Sequence, residues 1–207
     1  ALVWDAREVE FEELLQEVLK DEPFFRHGGG VTLSGGEPLL QPEFAARLLE
    51  QLQQRGIHTA IETALYVPAY ALLRVQPYLN QIFADLKLFD SEQHKKYTGV
   101  NNGRIKQNLR MLLESAQRRH VVVRTPMIPG ITAAEENIVS ISRFISGIYK
   151  DVSYELLNYN PLAAAKYHLV NRAYCFAENP PRFTQEEMQQ FASLARKNGV
   201  TNVHIDS

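Results

Sequence analysis

The spacing of hydrophobic positions along the chain alternates between a helical and a strand-like pattern. Apolar residues at intervals of three and four predict amphipathic helices, and short apolar runs predict buried strands. The predicted helices cover residues 11–19, 42–55, 105–113, 133–145 and 185–198. The predicted strands are VTLS, IHTAIET, IFADLKL, HVVVR, VSYELL and VTNVHI. Strands separated by helices predict right-handed βαβ units and a parallel sheet.

Polar residues mark where two of these helices begin. Thr132 with Glu135, and Thr184 with Glu187, have the spacing of a capping box, in which each side chain accepts a backbone N–H of the helix start. The resulting order of elements fits both a (β/α) barrel and a doubly wound open sheet. In either fold, ligands bind beyond the carboxyl ends of the strands. We expect residues 1–207 to form a single domain.

Composition and charge narrow the class of protein. The 207 residues are 45% hydrophobic and carry a formal net charge of -2, which argues against a nucleic-acid surface or a polybasic membrane surface. No apolar run is long enough to span a bilayer. Cys175 is the single cysteine, so an internal disulfide is excluded. We expect a packed, unreactive thiol there and a reducing, cytoplasmic location.

The strand IFADLKL carries charge on one face only. Side chains alternate across a strand, so Asp85 and Lys87 share a face with Phe83, while Leu86 points to the opposite face. Two charged residues on one face of a buried strand are costly unless they are paired or bind a ligand. One interpretation is an Asp–Lys ion pair that only stabilises the fold. The other is a ligand site.

Other predicted strands also carry polar residues within them, at their ends or just after them. These residues are Glu62, Thr63, Arg124, Glu155, Asn158 and Asn160. Each alone is typical of a solvated strand end, but together they indicate a functional edge. The strand VTLS ends in Gly35-Gly36-Glu37-Pro38. Glycines there let a ligand approach the backbone, although for this motif taken alone an ordinary turn is the favoured interpretation.

Three segments in this order resemble a known family. They are GGGVTLSGGEPLLQPEF, ADLKLFDSEQHKKYTGVNN and RTPMIPGIT. They resemble the radical S-adenosylmethionine (AdoMet) enzymes that activate glycyl radical enzymes, such as the pyruvate formate-lyase activating enzyme. The resemblance implies a (β/α)6 barrel and a 4Fe-4S cluster held by a CxxxCxxC loop. It also implies that AdoMet is cleaved to a 5'-deoxyadenosyl radical, which removes a hydrogen from a glycine of a glycyl radical enzyme. A flavodoxin- or ferredoxin-type protein would donate the electron.

The resemblance also assigns roles to individual residues. Gly35, Gly36 and Glu37 correspond to the motif that receives the AdoMet ammonium. The remaining assigned AdoMet-site residues are Thr63, Asp85, Leu86, Lys87, Arg124 near the AdoMet carboxylate, and Asn160 near the ribose. The residues assigned to a monovalent cation are Glu62, Thr63 and Asp85.

The chain departs from the family pattern at two points. Asn160 stands where these enzymes commonly have His, so a proton-transfer role there is doubtful. The larger departure is that one cysteine cannot form CxxxCxxC. We therefore expect a partial (β/α)6 barrel that lacks its first strand and is inactive by itself. Its open edge would favour self-association. Two other hypotheses remain: a radical AdoMet enzyme that acts on a small molecule, and a non-catalytic barrel.

Overall fold

The computed structural model describes residues 7–25, 28–162 and 180–206. Its helices are α1 (Phe11–Leu19), α2 (Glu22–Phe25), α3 (Pro42–Gln54), α4 (Ala69–Val75), α5 (Ser91–Thr98), α6 (Gly103–Glu114), α7 (Glu135–Ile148) and α8 (Gln185–Lys197). Its strands are β1 (Gly30–Leu33), β2 (His58–Thr63), β3 (Gln81–Asp85), β4 (Val121–Pro126), β5 (Ser153–Leu157) and β6 (Asn202–Ile205). Cys175, the predicted packed thiol, lies outside the described residues.

The six described strands form a sheet in the order β1-β2-β3-β4-β5-β6. The pairs β1–β2, β4–β5 and β5–β6 are parallel. This order follows the chain, as it does in a (β/α) barrel, whereas the order of a doubly wound sheet reverses at a switch point. The predicted parallel α/β fold of the barrel type is therefore confirmed, and the doubly wound alternative is wrong.

The chain divides into two compact units. The first comprises residues 1–63 and 67–82, and the second comprises residues 64–66 and 83–207. In the first unit, α1 and α3 bury a shared cluster formed by Phe11, Leu15, Leu48, Leu52 and Ile57. Fully burying a side chain of this size contributes about 1.5–3 kcal/mol. The helical spacing of these residues is the pattern that predicts both helices.

The second unit is built on the helices that follow β3, β4 and β5. Leu109, Leu112 and Leu113 of α6 are fully buried, as are Ile141 and Ile145 of α7. Their spacing places one apolar face of each helix toward the interior.

Of the two predicted capping boxes, one is confirmed and the other is wrong. The Thr184 hydroxyl accepts the Glu187 N–H, and the Glu187 carboxylate accepts the Thr184 N–H. At α7, by contrast, the N-cap residue is Ala134 and makes no side-chain hydrogen bond. The Thr132 hydroxyl instead belongs to the turn after β4, where it accepts the Ile128 N–H at 2.7 Å and donates to the Pro126 carbonyl.

Some element bounds also differ from the prediction. β3 ends at Asp85, so Lys87 lies beyond the strand and not within it. Helices α2, α4 and α5 were not predicted; α5, for example, shows no clear hydrophobic period, since only His94 of that helix is buried. Pro23 stands in the first turn of α2, where a proline is tolerated. No helix within the described ranges is long and apolar enough to cross a membrane.

Candidate functional site

The turn after β1 contains two glycines in the left-handed conformation. Gly35 and Gly36 have φ angles of +76° and +44°, which a residue with a Cβ rarely adopts. Apart from each glycine and its two neighbours in the chain, no heavy atom of the described residues lies within 4 Å of the position of an added Cβ on either glycine. Glycine is therefore required at these two positions by the backbone conformation and not by steric crowding. The turn keeps open space beside its backbone, as a ligand site needs.

Glu37 connects this turn to the end of β2. Its Oε1 accepts a hydrogen bond from Thr63 Oγ1 at 2.8 Å and one from the Leu39 N–H at 3.3 Å. The second bond caps the 3-10 helix Pro38–Leu40. The position of the Glu37 carboxylate is thus set from two sides.

Glu62 and Thr63 point to opposite faces of β2. Thr63 is buried, whereas Glu62 is exposed, as expected for neighbours in a strand. The structure therefore does not bring these two side chains together. Within residues 7–25, 28–162 and 180–206, no group of three or more His, Cys, Asp or Glu side chains could hold a metal ion. The cation role of Glu62, Thr63 and Asp85 stays a prediction.

The predicted alternation at the end of β3 is present in the structure. Leu86 is fully buried, whereas Asp85 and Lys87 are partly exposed. Lys87 Nζ lies 3.0 Å from Asp85 Oδ2, with 36% and 32% of the two side chains exposed. The ion pair that we considered as the purely structural interpretation does exist. At this exposure, such a pair stabilises the fold by about 0–1 kcal/mol, so a ligand could open it at small cost.

A second ion pair lies on the neighbouring strands. Arg124 of β4 and Glu155 of β5 are register partners, and Arg124 Nε lies 3.1 Å from Glu155 Oε2. The Arg124 guanidinium also lies 4.9 Å from the centre of the Phe83 ring. Because Phe83 shares a face of β3 with Asp85, the two ion pairs belong to the same side of the sheet. This side carries two charges of each sign.

A buried chain of hydrogen bonds connects Leu86, the residue after β3, to β4 and β5. Tyr154 Oη donates to Thr125 Oγ1 at 3.0 Å, and Thr125 Oγ1 donates to the Leu86 carbonyl at 2.8 Å. The Leu86 N–H donates to the Arg124 carbonyl at 3.0 Å. Tyr154 is fully buried, and this burial raises the pKa of its hydroxyl. Both polar groups of the Leu86 backbone are thus satisfied from β4.

Two asparagines hold the next three residues. Asn137 donates to the Lys87 carbonyl at 3.0 Å and accepts the Phe89 N–H at 2.8 Å. Asn102 donates to the carbonyls of Leu88 and Phe89, each at 2.8 Å. The sequence analysis did not identify these asparagines. The one signal that could have revealed Asn137 is that a polar residue stands at a buried position of α7.

Asn160 is exposed beyond the end of β5. Its Oδ1 accepts the Leu162 N–H at 3.0 Å and thereby forms a local turn. Asn158 has a clearer structural role, because it accepts the Phe183 N–H at 3.1 Å and donates to the Phe183 carbonyl at 2.8 Å. It joins the end of β5 to the segment that leads into α8.

A groove of about 990 Å³ runs beside β1 in the first unit. Residues of α1, β1 and α3 line it, among them Leu14, Thr32, Leu33 and Phe44. Since β1 is the last strand on its side of the described sheet, the groove lies where an open edge was predicted.

A family model described as the radical SAM superfamily matches residues 2–141 of the chain. The chain belongs to the radical SAM superfamily. This membership confirms the resemblance that the Gly-Gly-Glu-Pro and Asp-Leu-Lys segments indicated. The superfamily implies AdoMet and a 4Fe-4S cluster as cofactors.

The curated relatives of this radical SAM chain include several activating enzymes. It is 44% identical over 161 residues to the isethionate sulfite-lyase activating enzyme of Desulfovibrio desulfuricans, covering 77% of this chain and 51% of that protein. It is 38% identical over 199 residues to the pyruvate formate-lyase 2-activating enzyme of Escherichia coli, covering 91% of this chain and 65% of that protein. The chain therefore spans between about half and two thirds of the length of these relatives.

Solved structures agree with the radical SAM fold. A domain of the pyruvate-formate lyase-activating enzyme from Bacteroides vulgatus superposes with a TM-score of 0.69 at 28% identity, covering 86% of this chain and 99% of that one. Streptococcus suis SuiB, at 13% identity, superposes with a TM-score of 0.71 over 99% of this chain and 44% of that one. The second likeness concerns the fold alone.

Proposed function

We propose that this chain is the AdoMet-binding portion of an enzyme that activates a glycyl radical enzyme. The observation that carries the proposal is the set of polar groups in the turn after β1 and on one side of β3, β4 and β5. An open turn with left-handed glycines follows β1, and two ion pairs lie on one side of β3, β4 and β5. The similarity to several activating enzymes supports this reaction over one on a small molecule.

The chemistry of these groups fits the amino-acid end of AdoMet, which carries both an ammonium and a carboxylate. The backbone of Gly35 and Gly36, with the Glu37 carboxylate, would receive the ammonium. Lys87 and Arg124 would receive the carboxylate, since cationic donors make the strongest hydrogen bonds to such a group.

Three further residues complete the proposed AdoMet site. Asp85 would keep Lys87 oriented and accept a polar hydrogen of the ligand. Leu86 would contribute its backbone, which β4 holds in place. Asn160 would hydrogen-bond the ribose. A monovalent cation near Thr63 and Asp85 belongs to the same proposal.

The cluster does not fit these 207 residues by themselves. Three thiolates are needed, and the chain has one cysteine. In the full-length enzyme the cluster would supply the electron that cleaves AdoMet. The part of the reaction that this chain would perform is to bind and orient AdoMet.

The proposed macromolecular partners follow from the reaction. One is a glycyl radical enzyme whose glycine loses a hydrogen atom. The other is a flavodoxin- or ferredoxin-type protein that supplies one electron for each AdoMet cleaved. A cytoplasmic location is part of this proposal.

The test measures 5'-deoxyadenosine formed from AdoMet by the full-length protein that contains this chain, with dithionite as reductant. We expect product from the wild type and AdoMet affinity that falls about tenfold or more in Asp85→Ala, because charged hydrogen bonds are worth about 1.5–3 kcal/mol. Asp151→Ala is the matched control, since Asp151 is an exposed aspartate before β5, at the opposite end of the strands. Equal affinities for the two variants would contradict the proposed site, and absence of AdoMet binding would favour a non-catalytic barrel.

A further inference from the structure

The segment that follows β3 is held by buried side chains. Lys87 lies in this segment, beyond the end of the strand. Segments beyond strand ends usually run over the surface with their backbone groups open to water. Here Thr125, Asn102 and Asn137 form hydrogen bonds with backbone groups of residues 86–89. The three residues are only 0%, 1% and 8% exposed, so the segment is anchored to the interior of the second unit.

The side-chain amide of Asn137 connects three backbone groups. Its Nδ2 donates to the Lys87 carbonyl at 3.0 Å and to the Thr132 carbonyl at 2.9 Å. Its Oδ1 accepts the Phe89 N–H at 2.8 Å. An asparagine amide has two N–H donors and one carbonyl oxygen, so each of these groups has a partner. None of the three bonds goes to a residue of α7, the helix that carries Asn137.

The stability of α7 does not explain why this residue is an asparagine. Asn137 lies on the buried face of the helix with Ile138, Ile141 and Ile145. An aliphatic residue there would form a helix more readily, and burying an amide is costly unless it is hydrogen-bonded. The bonds to the neighbouring segments therefore account for the polar side chain at this position.

The same amide connects the segment after β3 to the turn after β4. The Thr132 carbonyl belongs to that turn, in which the Thr132 hydroxyl accepts the Ile128 N–H at 2.7 Å and donates to the Pro126 carbonyl. Pro126 is the last residue of β4, the strand that carries Arg124. Lys87 and Arg124 are the two cations proposed to receive the AdoMet carboxylate. One buried side chain thus connects the backbone segments on which both cations stand.

A fixed backbone matters most for Lys87. A lysine carries its charge on a flexible four-carbon stem, so the position of the charge depends on the backbone from which the stem extends. A ligand that binds a mobile segment must order it, and this ordering lowers the affinity. A segment that is fixed before the ligand arrives avoids that loss.

We propose that Asn137 is a positioning residue for AdoMet. It holds the backbone of Lys87 so that the lysine ammonium and the Arg124 guanidinium receive the AdoMet carboxylate together. Asn137 acts through Lys87 and makes no contact with the ligand. This inference rests on the proposed function, because it takes the AdoMet site described above as its starting point.

The test measures AdoMet binding to the full-length protein by calorimetry, with its cluster left oxidised so that no AdoMet is cleaved. We expect Asn137→Ala to raise the Kd for AdoMet about tenfold, which corresponds to ordering roughly one backbone residue on binding. Asn80→Ala is the matched control. Asn80 directly precedes β3 at its amino end, where its Oδ1 accepts the N–H and the hydroxyl of Thr59, each at 3.0 Å. The Kd of this control should stay within about twofold of the wild type.

A double-mutant cycle separates positioning from a general loss of structure. If Asn137 acts through Lys87, its effect on affinity depends on the lysine being present. In the Lys87→Ala background, Asn137→Ala should therefore raise the Kd by less than about twofold more, because residues that act as a unit do not add.

Hydrogen exchange of the wild type tests the same inference without any variant. The Phe89 amide, which Asn137 accepts, should already be protected before AdoMet is added. AdoMet should add little to that protection.

Three results would overturn the inference. They are equal affinities of Asn137→Ala and Asn80→Ala for AdoMet, a full tenfold effect of Asn137→Ala that persists without Lys87, and a Phe89 amide that exchanges freely until AdoMet binds. If the wild type binds AdoMet and one of these results is found, the proposed function stands and the positioning role fails. If the wild type binds no AdoMet, the proposed function fails and this inference fails with it.

Discussion

Replacing Thr125 by valine tests the buried support beneath Asp85 and Lys87. The Thr125 hydroxyl accepts from Tyr154 Oη and donates to the Leu86 carbonyl, and both Thr125 and Tyr154 are fully buried. Valine has the same shape but removes the hydroxyl, so two buried polar groups lose this partner. A buried group left unsatisfied costs about 1–3 kcal/mol. We therefore expect Thr125→Val to lower the free energy of unfolding by about 2–4 kcal/mol.

The matched variant Tyr154→Phe removes the other end of the chain of hydrogen bonds. Its Thr125 hydroxyl can still donate to the Leu86 carbonyl, so the expected cost is about 1 kcal/mol. In the double variant the tyrosine hydroxyl is no longer present to be left unsatisfied. The double variant should therefore cost less than the sum of the single variants, by about 1–2 kcal/mol.

Urea unfolding of the 207-residue chain, followed by circular dichroism, measures these differences from the transition midpoints. Two results would refute the reasoning. One is a Thr125→Val variant no less stable than Tyr154→Phe. The other is a double variant whose cost equals the sum, since independent sites add and a shared hydrogen-bond chain does not.

Four other predictions follow from the same contacts. Burial raises the pKa of Tyr154, so its contribution to stability is complete below the usual tyrosine pKa of about 10 and declines as pH rises further; pH-dependent urea unfolding should show a shallower alkaline loss in Tyr154→Phe than in the wild type. Asn137→Ala should lower the free energy of unfolding by about 2–4 kcal/mol, because the Lys87 carbonyl and the Phe89 N–H both lose a partner; a loss of stability no larger than that caused by an alanine substitution at an exposed residue would contradict this. Thr184→Ala should cost roughly 1 kcal/mol by removing the cap of α8, and a neutral midpoint in urea would contradict it. Because β1 ends the described sheet beside a groove, light scattering should find the 207-residue chain self-associated and Thr32→Lys less so; a clean wild-type monomer would refute this.

The hydrophobic period predicted the framework of the fold well. The alternation at the end of β3 is the clearest case, since Leu86 is buried and Asp85 and Lys87 are not. Burial sorts side chains by polarity along a strand, so this feature is local and visible in the sequence. The hydrophobic period alone could not decide between the strand order of a (β/α) barrel and that of a doubly wound sheet, because both folds are built from the same βαβ unit.

Contacts between distant residues were not predictable in the same way. The spacing of Thr132 and Glu135 satisfies a capping box as well as that of Thr184 and Glu187 does. The turn after β4 nevertheless takes the Thr132 hydroxyl. Asn137 lies 50 residues from the Lys87 carbonyl that it holds. A spacing rule carries no information about such partners, because tertiary structure decides which of several hydrogen bonds a side chain makes.

The site itself was predicted unevenly for the same reason. Glu37 was assigned to a ligand ammonium, and its bond to Thr63 was not foreseen. The Asp85–Lys87 ion pair was one of the two interpretations offered for β3, but the pairing of Arg124 with Glu155 was not foreseen. Resemblance supplied the chemistry of the strand ends, and the structure supplied the contacts that hold them in place.

The most direct test of the central claim is electron paramagnetic resonance of a candidate glycyl radical enzyme after anaerobic incubation with the full-length protein, AdoMet and dithionite. We expect a glycine-centred radical signal that requires AdoMet, is lost or strongly reduced with Asp85→Ala, and is retained with Asp151→Ala. Formation of 5'-deoxyadenosine with no radical in any glycyl radical enzyme of the same organism would contradict the proposed activating function and would indicate a small-molecule substrate instead.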